Sequence, residues 1–250
     1  MTDTASPALP QLIAHRGLSA HAPENTLSAV RAAHANGIDW VELDVQLLGD
    51  GTPVIWHDRG VRRCSNGRGG LHKLDLAAAK ALDVGAWFGE AFRDERMATL
   101  AEMLELLLAR GMGLNLELKV CRGRDPVALA EAVIPLLLEA LPAERLIVSS
   151  FDARALESAR ALVPDPERLR LGVLFEKIPK TWQAEAERFA AFSLHADWTR
   201  LKAERARAIK AAGYRLLCYT ANDPRAFAPC WDWGVDSVIS DDPRRFLAAT

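Results

Sequence analysis

Three stretches of this chain place costly polar groups where a folded protein must account for them. In Val41-Glu42-Leu43-Asp44-Val45-Gln46 the apolar residues fall on one face of a strand and Glu42, Asp44 and Gln46 on the other, because successive side chains alternate. In Leu114-Asn115-Leu116-Glu117-Leu118-Lys119 the leucines take one face and leave Glu117 beside Lys119 on the other. The run Leu12-Ile13-Ala14-His15 ends on a histidine followed by Arg16-Gly17. After the first stretch, Leu48-Gly49-Asp50-Gly51-Thr52 is a hairpin signal. A two-residue turn at Asp50-Gly51 pairs Gly49 with Thr52 and, counted outward, Asp44 with His57.

Three inward carboxylates demand compensation, since an unpaired buried charge costs several kcal/mol. Arg16 and Lys119 offset two of the three, leaving a net negative site. A divalent cation held by Glu42, Asp44 and Glu117 makes the sum positive, and a positive site attracts a singly charged phosphodiester. All-oxygen ligation suits a hard ion, Mg²⁺ or Ca²⁺, with Mn²⁺ as a third candidate, rather than zinc. His15 and His57 then divide acid-base work: one takes a proton from the nucleophile and the other, protonated, gives one to the leaving oxygen. Arg16, Lys119 and the metal stabilise charge building on the phosphoryl oxygens. This chemistry is metal-assisted phosphodiester cleavage. Direct attack by water and prior attack by a neighbouring hydroxyl would use the same groups.

The elements that must position these residues follow a regular alternation. The first strand leads through a loop to a helix over Thr26 to Asn36, stopped by Gly37. From Leu100 the pattern reads helix to Arg110, strand Leu114 to Lys119, helix Val127 to Glu139, strand Leu146 to Ser150 and helix Arg154 to Leu162. It continues with strand Leu169 to Phe175, helix Trp182 to Phe189, strand Phe192 to Ala196, helix Lys202 to Ala212, strand Arg215 to Thr220, helix Arg225 to Trp233, strand Ser237 to Ser240 and a last helix Pro243 to Ala248. Without the hairpin return there are eight strands, which predicts an α/β fold, a closed (β/α)₈ TIM barrel. No Gly-x-Gly-x-x-Gly turn follows an early strand to favour an open doubly wound sheet. The stretch from Arg59 to Met97 is too long for a connection and reads as a small insertion (59–97) within a single catalytic barrel domain, residues 1–250. Barrel sites lie where strands end, and His15, Arg16, Glu42, Asp44, Glu117 and Lys119 all sit there.

Bulk properties narrow the partners. Half of the 250 residues are hydrophobic and 26% are charged, which argues against disorder. A formal net charge of -2 gives no reason to expect nucleic acid. Cys64, Cys121, Cys218 and Cys230 have no paired metal spacing and read as reduced cytosolic thiols. Met1 to Gln11 has neither a basic nor an apolar export region, and the apolar run Ala128 to Leu141 is broken by Glu131, Pro135 and Glu139. A cytoplasmic protein acting on a small molecule, without stable membrane association, is expected; the sequence leaves its oligomeric state open.

Ala14-His15-Arg16-Gly17, Pro23-Glu24-Asn25-Thr26, Glu42-Leu43-Asp44, His57-Asp58, Glu117-Leu118-Lys119 and Gly234 to Asp241 together resemble the glycerophosphodiester phosphodiesterases, in that family's order and over Leu12 to Pro243. The resemblance implies a triosephosphate-isomerase-type barrel with an insertion after the His-Asp pair. It implies metal at Glu42, Asp44 and Glu117, acid-base chemistry at His15 and His57, and phosphate contacts from Arg16 and Lys119. The implied reaction releases an alcohol and sn-glycerol 3-phosphate. The family often has Trp-Thr-Val-Asn near the seventh strand end. Here Tyr219-Thr220-Ala221-Asn222 keeps an aromatic surface for glycerol and adds a hydroxyl. Ala98 stands where the family commonly has proline before Thr-Leu.

Other polar and aromatic residues have plainer readings. His21, His34 and His72 fit surface positions, and Trp87 and Phe88 fit a small core of the insertion. Phe151 follows a strand and lines the pocket or marks a helix entry capped by Asp152. Asn66 to Gly70 is a flexible loop, and Leu194 to Trp198 has no assigned role. Two alternatives use the same barrel. A lysophospholipase D or phospholipase C-like lipid enzyme would show an apolar rim, and a silent phosphodiester-binding module would lack a histidine or acid; none is missing.

Overall fold

The computed structural model describes residues 9–247. Residues 1–8 of the polar start and the predicted end of the last helix at Ala248 lie outside the described residues. Strand β1 (Leu12–His15) pairs in parallel with β2 (Trp40–Leu47), setting His15 opposite Glu42, and with the last strand, β9 (Ser237–Ser240), setting Ile13 opposite Ile239. Those two pairings close the sheet. Between them run β4 (Gly113–Leu118), β5 (Leu146–Ser150), β6 (Arg170–Phe175), β7 (Ser193–Asp197) and β8 (Arg215–Tyr219), each parallel to its neighbours. Helices α1 (Leu27–Ala35), α3 (Leu100–Arg110), α4 (Pro126–Ala140), α5 (Ala153–Leu162), α6 (Trp182–Arg188), α7 (Ala203–Ala211) and α8 (Pro224–Asp232) join them, and α9 (Arg244–Leu247) follows β9. The chain is the (β/α)₈ barrel that the alternation predicts.

Local chemistry fixes the helix boundaries. Asp125, Asp152 and Asp223 stand at the N-caps of α4, α5 and α8 and accept first-turn amides, while α3 has a reciprocal Thr99–Glu102 capping box. Strand alternation divides the core into two layers. Val41, Leu43, Val45, Leu114, Leu116 and Leu118 pack outward under the helices. Ile13, Trp40, Ile147, Leu217 and Ile239 fill the barrel floor. A Cβ on Gly113 would overlap the Trp40 indole, so this floor needs glycine there.

The hairpin differs from the expected register by one residue. Strand β3 (Pro53–Ile55) sets Val45 opposite Ile55 and Gln46 opposite Val54, so Asp44 faces Trp56, whose N–H donates to the Asp44 carbonyl at 2.9 Å. The loop holds three residues, Gly49 to Gly51, closed by Leu48 N–H on the Thr52 carbonyl, with Gly51 left-handed at φ +85°. The cause lies outside the hairpin. Gly49 donates to the Leu74 carbonyl, a Cβ there would sit 2.7 Å from the His72 carbonyl, and the Asp50 carboxylate accepts from Thr52 and Leu76. Contacts with 59–97 therefore draw the loop open. Strand pairing stops at Ile55, so register does not place His57.

Segment 59–97 contains α2 (Leu76–Ala81) and two 3-10 turns. Val61, Cys64, Leu71, Ala79, Val84 and Met97 pack on hairpin residues Leu48, Val54 and Trp56. Trp87 and Phe88 are not in that cluster. Trp87 meets Phe88 edge-on and Phe88 meets Phe92 likewise, and Trp87 is exposed, so aliphatic side chains build the small core instead.

Candidate active site

Glu42 and Asp44 point inward from β2 and Glu117 from β4, as strand parity requires. All three are buried, and each offers an oxygen within 4.8 Å of the others. Burial and the charges of Asp44 and Glu117 hold the Glu42 carboxyl well above its ordinary range; burial and Asp44 do the same to Glu117. Burial also pushes Asp44 upward, but Lys119 at 3.4 Å, Arg16 at 3.4 Å and the Asn25 amide outweigh it and leave this acid lowered. Lys119 also lies 2.9 Å from Glu117. Two of three packed acids held protonation-prone is the electrostatic signature of a set that lacks positive charge. Three hard oxygen donors fit a divalent ion such as Mg²⁺ or Ca²⁺.

The segment between β1 and α1 bends to wrap these acids. Arg16 is left-handed at φ 55° and Gly17 at φ 78°; a Cβ on Gly17 would lie 2.6 Å from that of Ala29. Asn25 is also left-handed at φ 57°, and its N–H donates to the Arg16 carbonyl. Non-glycine residues there carry about 1–3 kcal/mol of strain each, which the surrounding bonds must offset. The Pro23-Glu24-Asn25-Thr26 stretch supplies those bonds. Glu24 accepts from Arg16 at 2.7 Å, and the Asn25 side chain clamps Asp44 through both its amide and its oxygen. Thr26 caps α1 by accepting the Ala29 amide.

The two histidines enter the same cavity, of about 460 Å³, from different sides. His15 Nδ1 lies 2.7 Å from Asp241, whose carboxylate also accepts from Ser19 and Asn222. Burial raises the Asp241 carboxyl, but these three bonds prevail and hold it down at about 2. His57 Nδ1 lies 2.8 Å from Asp58, which Arg63 holds on its other side while also gripping Glu24. Each ring therefore has a carboxylate behind Nδ1 and no hydrogen bond at Nε2, that of His15 lying 3.8 Å from Glu42. Burial lowers the His57 pKa and nearby Arg16 and Lys119 lower it further, against the opposing charge of Asp44 and the bond to Asp58. Gln46 sets the turn that carries His57, because its side-chain amide donates to the carbonyls of Trp56, His57 and Asp58 at 2.9, 2.8 and 3.0 Å.

The other expected groups converge on this cavity too. Arg16 and Lys119 line it, as do Phe151 and Tyr219. Those two rings meet edge-on at 6.1 Å, and Lys119 Nζ lies 5.8 Å from the Phe151 centroid. The Tyr219 hydroxyl donates to the Phe175 carbonyl, so only its ring faces the cavity's contents. Asp152 also caps α5, so Phe151 lines the cavity at a capped helix entry. Arg16 Nε, Asn115 Oδ1 and Ser149 Oγ are buried without a hydrogen-bond partner, and all three residues line the cavity. Buried polar atoms without a hydrogen bond are rare; Arg16 Nε still has the Asp44 carboxylate at 3.4 Å, while Asn115 Oδ1 and Ser149 Oγ mark a polar wall. Deeper in the barrel, His195 is fully buried with Nε2 on Ser193 Oγ. His21, His34 and His72 do not line the cavity. Sequence reasoning missed Asp241, Asn25, Gln46, Asn115 and Ser149 as functional residues, although strand parity turns Gln46, Asn115 and Ser149 inward.

Known proteins match this arrangement closely. The model of the glycerophosphoryl diester phosphodiesterase family matches residues 15–245. A glycerophosphodiester phosphodiesterase of Caldanaerobacter subterraneus subsp. tengcongensis is 35% identical over 237 residues, spanning 94% of this chain and 96% of the relative. The structure of an Oleispira antarctica phosphodiesterase in complex with the product sn-glycerol 3-phosphate superposes with a TM-score of 0.91 at 41% identity, covering 96% of each chain. That of a glycerophosphodiester phosphodiesterase from Agrobacterium tumefaciens gives a TM-score of 0.80 at 26% identity, covering 96% of this chain and all of the other. The chain belongs to the glycerophosphoryl diester phosphodiesterase family.

Proposed function

We propose that this protein hydrolyses glycerophosphodiesters to an alcohol and sn-glycerol 3-phosphate. The observation that carries the reading is one cavity in which three buried carboxylates face two carboxylate-backed histidines, in a chain 41% identical to a phosphodiesterase whose structure is a complex with that product. Glu42, Asp44 and Glu117 hold the divalent ion, Mg²⁺ or Ca²⁺, with Mn²⁺ as a third fit. When bound, the ion supplies Lewis-acid stabilisation of charge on the phosphoryl oxygens. Arg16 and Lys119 would share that task as charged N–H donors. His57, kept neutral by burial and by those two cations, takes the proton of the attacking hydroxyl or water. His15, oriented by Asp241, gives a proton to the leaving oxygen. Phe151 and Tyr219 form an apolar wall for the glycerol carbons.

The same reading takes residues 1–250 as one catalytic unit, with 59–97 contributing Arg63 behind His57. Among the described residues no helix is long and apolar enough to cross a membrane, and all four cysteines are free. A cytoplasmic enzyme acting on small water-soluble diesters fits both observations.

Chelator-treated protein is expected to be inactive on glycerophosphocholine and glycerophosphoethanolamine, and Mg²⁺, Ca²⁺ or Mn²⁺ should restore release of glycerol 3-phosphate. No turnover with any of the three on either diester refutes the assignment. Because the base must be neutral and the His57 pKa is lowered, the acid limb of kcat/KM against pH should fall below the ordinary histidine value of about 6.5. Gln46→Ala should reduce kcat by roughly tenfold to a hundredfold with KM little changed, since a misplaced catalytic group loses about that much. Steady-state kinetics on protein of native circular dichroism decides it, and an unchanged kcat removes Gln46 from the positioning of His57.

A further inference from the structure

A second hollow of about 490 Å³ opens beside the first, between the loop that follows β6 and the first turn of α7. Lys177, Lys180, Lys202 and Arg205 line it, and among the described residues none of these four side chains has a carboxylate at ion-pair distance or a hydrogen-bond partner. Some exposed cations elsewhere sit on acids, as Arg63 does on Glu24 and Asp58, Arg93 on Glu90, and Arg244 on Asp242, and others such as Arg62, Arg68 and Arg122 do not; these four are gathered on one hollow. The two hollows share Arg200, Glu176 and Asp197. Arg200 lies 3.4 Å from Glu176 and 3.3 Å from Asp197, so both carboxylates of the shared wall are committed to it. The four unpaired cations thus concentrate a positive field one step beyond the carboxylate triad, where it focuses anions.

We infer that this second hollow is a subsite for an anionic group on the substrate's alcohol, so that the preferred diesters carry a second phosphate beyond the scissile one. The inference rests on the proposed function of the neighbouring site and names its substrate class. On bis(glycerophospho)glycerol, whose two phosphates are joined through one glycerol, the scissile phosphate sits at the triad and the other between the four cations. Water adds its oxygen to the first phosphorus, the bond to the bridging glycerol breaks, and that oxygen takes a proton. The products are glycerol 3-phosphate and glycerophosphoglycerol.

The test compares kcat/KM for bis(glycerophospho)glycerol and glycerophosphocholine at low salt. It uses the wild type and a variant combining Lys177→Gln, Lys180→Gln, Lys202→Gln and Arg205→Gln. The wild type should favour the doubly anionic diester by about tenfold or more. The variant should lose about 10-fold to 100-fold on it while staying within about twofold on glycerophosphocholine, which also reports folding. Rising salt should erase the wild-type preference and leave the variant unmoved. Equal wild-type values, or equal losses on both diesters, overturn the subsite while leaving the proposed function standing. No turnover of either diester ends both readings. Sedimentation of the wild type but not the variant with phosphatidylserine vesicles, together with equal kcat/KM values, assigns the patch to a membrane surface and overturns the subsite.

Discussion

Glu42→Gln protein in chelator is expected to melt above the wild type and, with metal restored, to hydrolyse glycerophosphodiesters at about a thousandth of the wild-type rate. Both effects have one cause. Glu42 is 5% exposed and packs against Asp44 and Glu117, and the favourable partners of its carboxylate are the Arg16 backbone N–H at 3.2 Å and His15 at 3.8 Å. Burial and like charge raise its pKa in the folded state, so the folded protein binds this proton more tightly than the unfolded chain. Stability from this residue is therefore present at low pH and falls as pH rises from the ordinary glutamate value through the raised one. At neutral pH glutamine removes the penalty at nearly constant shape. Replacing buried charge by neutral groups gains about 1–4 kcal/mol, and in a chain of this size each kcal/mol is worth roughly 2–4 °C. Catalysis moves the other way. Losing one of three ligands forfeits several kcal/mol of transition-state stabilisation, and about 4 kcal/mol is a factor of a thousand. Differential scanning fluorimetry with and without Mg²⁺ reads the first effect. Metal should raise the wild-type Tm by binding only the folded state, and the variant's much less. A variant that melts lower in chelator, or that turns over normally, shows that Glu42 is a structural acid instead.

The same residue shows why much of the site was legible in the sequence. Glu42, Asp44 and Glu117 are set by strand parity, a local rule that survives folding as long as the strands form, and they form because Val41, Leu43 and the leucines of β4 need the outer core. His15 follows from parity too. His57 reached the cavity by another route than the sequence implied. The hairpin opens by one residue under contacts from 59–97, and Gln46 then holds the turn that aims the ring. Contacts that decide such details join residues far apart in the chain. The Asp241 carboxylate behind His15 lies 226 positions away, and no local pattern marks it as a partner. Likewise, the four unpaired cations come from the loop after β6 and the start of α7, and spacing along the chain cannot bring them together.

The histidines carry the second large expectation, which separates their roles. On glycerophosphocholine, His15→Ala and His57→Ala should each lower kcat by about 10²-fold to 10⁴-fold, the usual contribution of a positioned acid or base. On the p-nitrophenyl ester of glycerol 3-phosphate they should part. That leaving group departs as an anion without a proton, so a missing acid matters little while a missing base matters as before. The proposed division of roles rests on the surroundings of the two rings. Burial first, and then the cations Arg16 and Lys119 against the charge of Asp44, favour the neutral form of His57, the form a base needs. The acid role then falls to His15, whose Nδ1 is tied to Asp241 and whose Nε2 is left for the leaving oxygen. His15→Ala should accordingly recover to within about tenfold of wild type on the activated ester, and His57→Ala should not. Asp241→Asn should follow His15→Ala in this respect, because a neutral amide removes the negative charge that a proton-donating imidazolium has behind Nδ1. Recovery by His57→Ala instead would reverse the two roles, and with them the electrostatic argument that a site crowded with acids uses its compensating cations to choose the base.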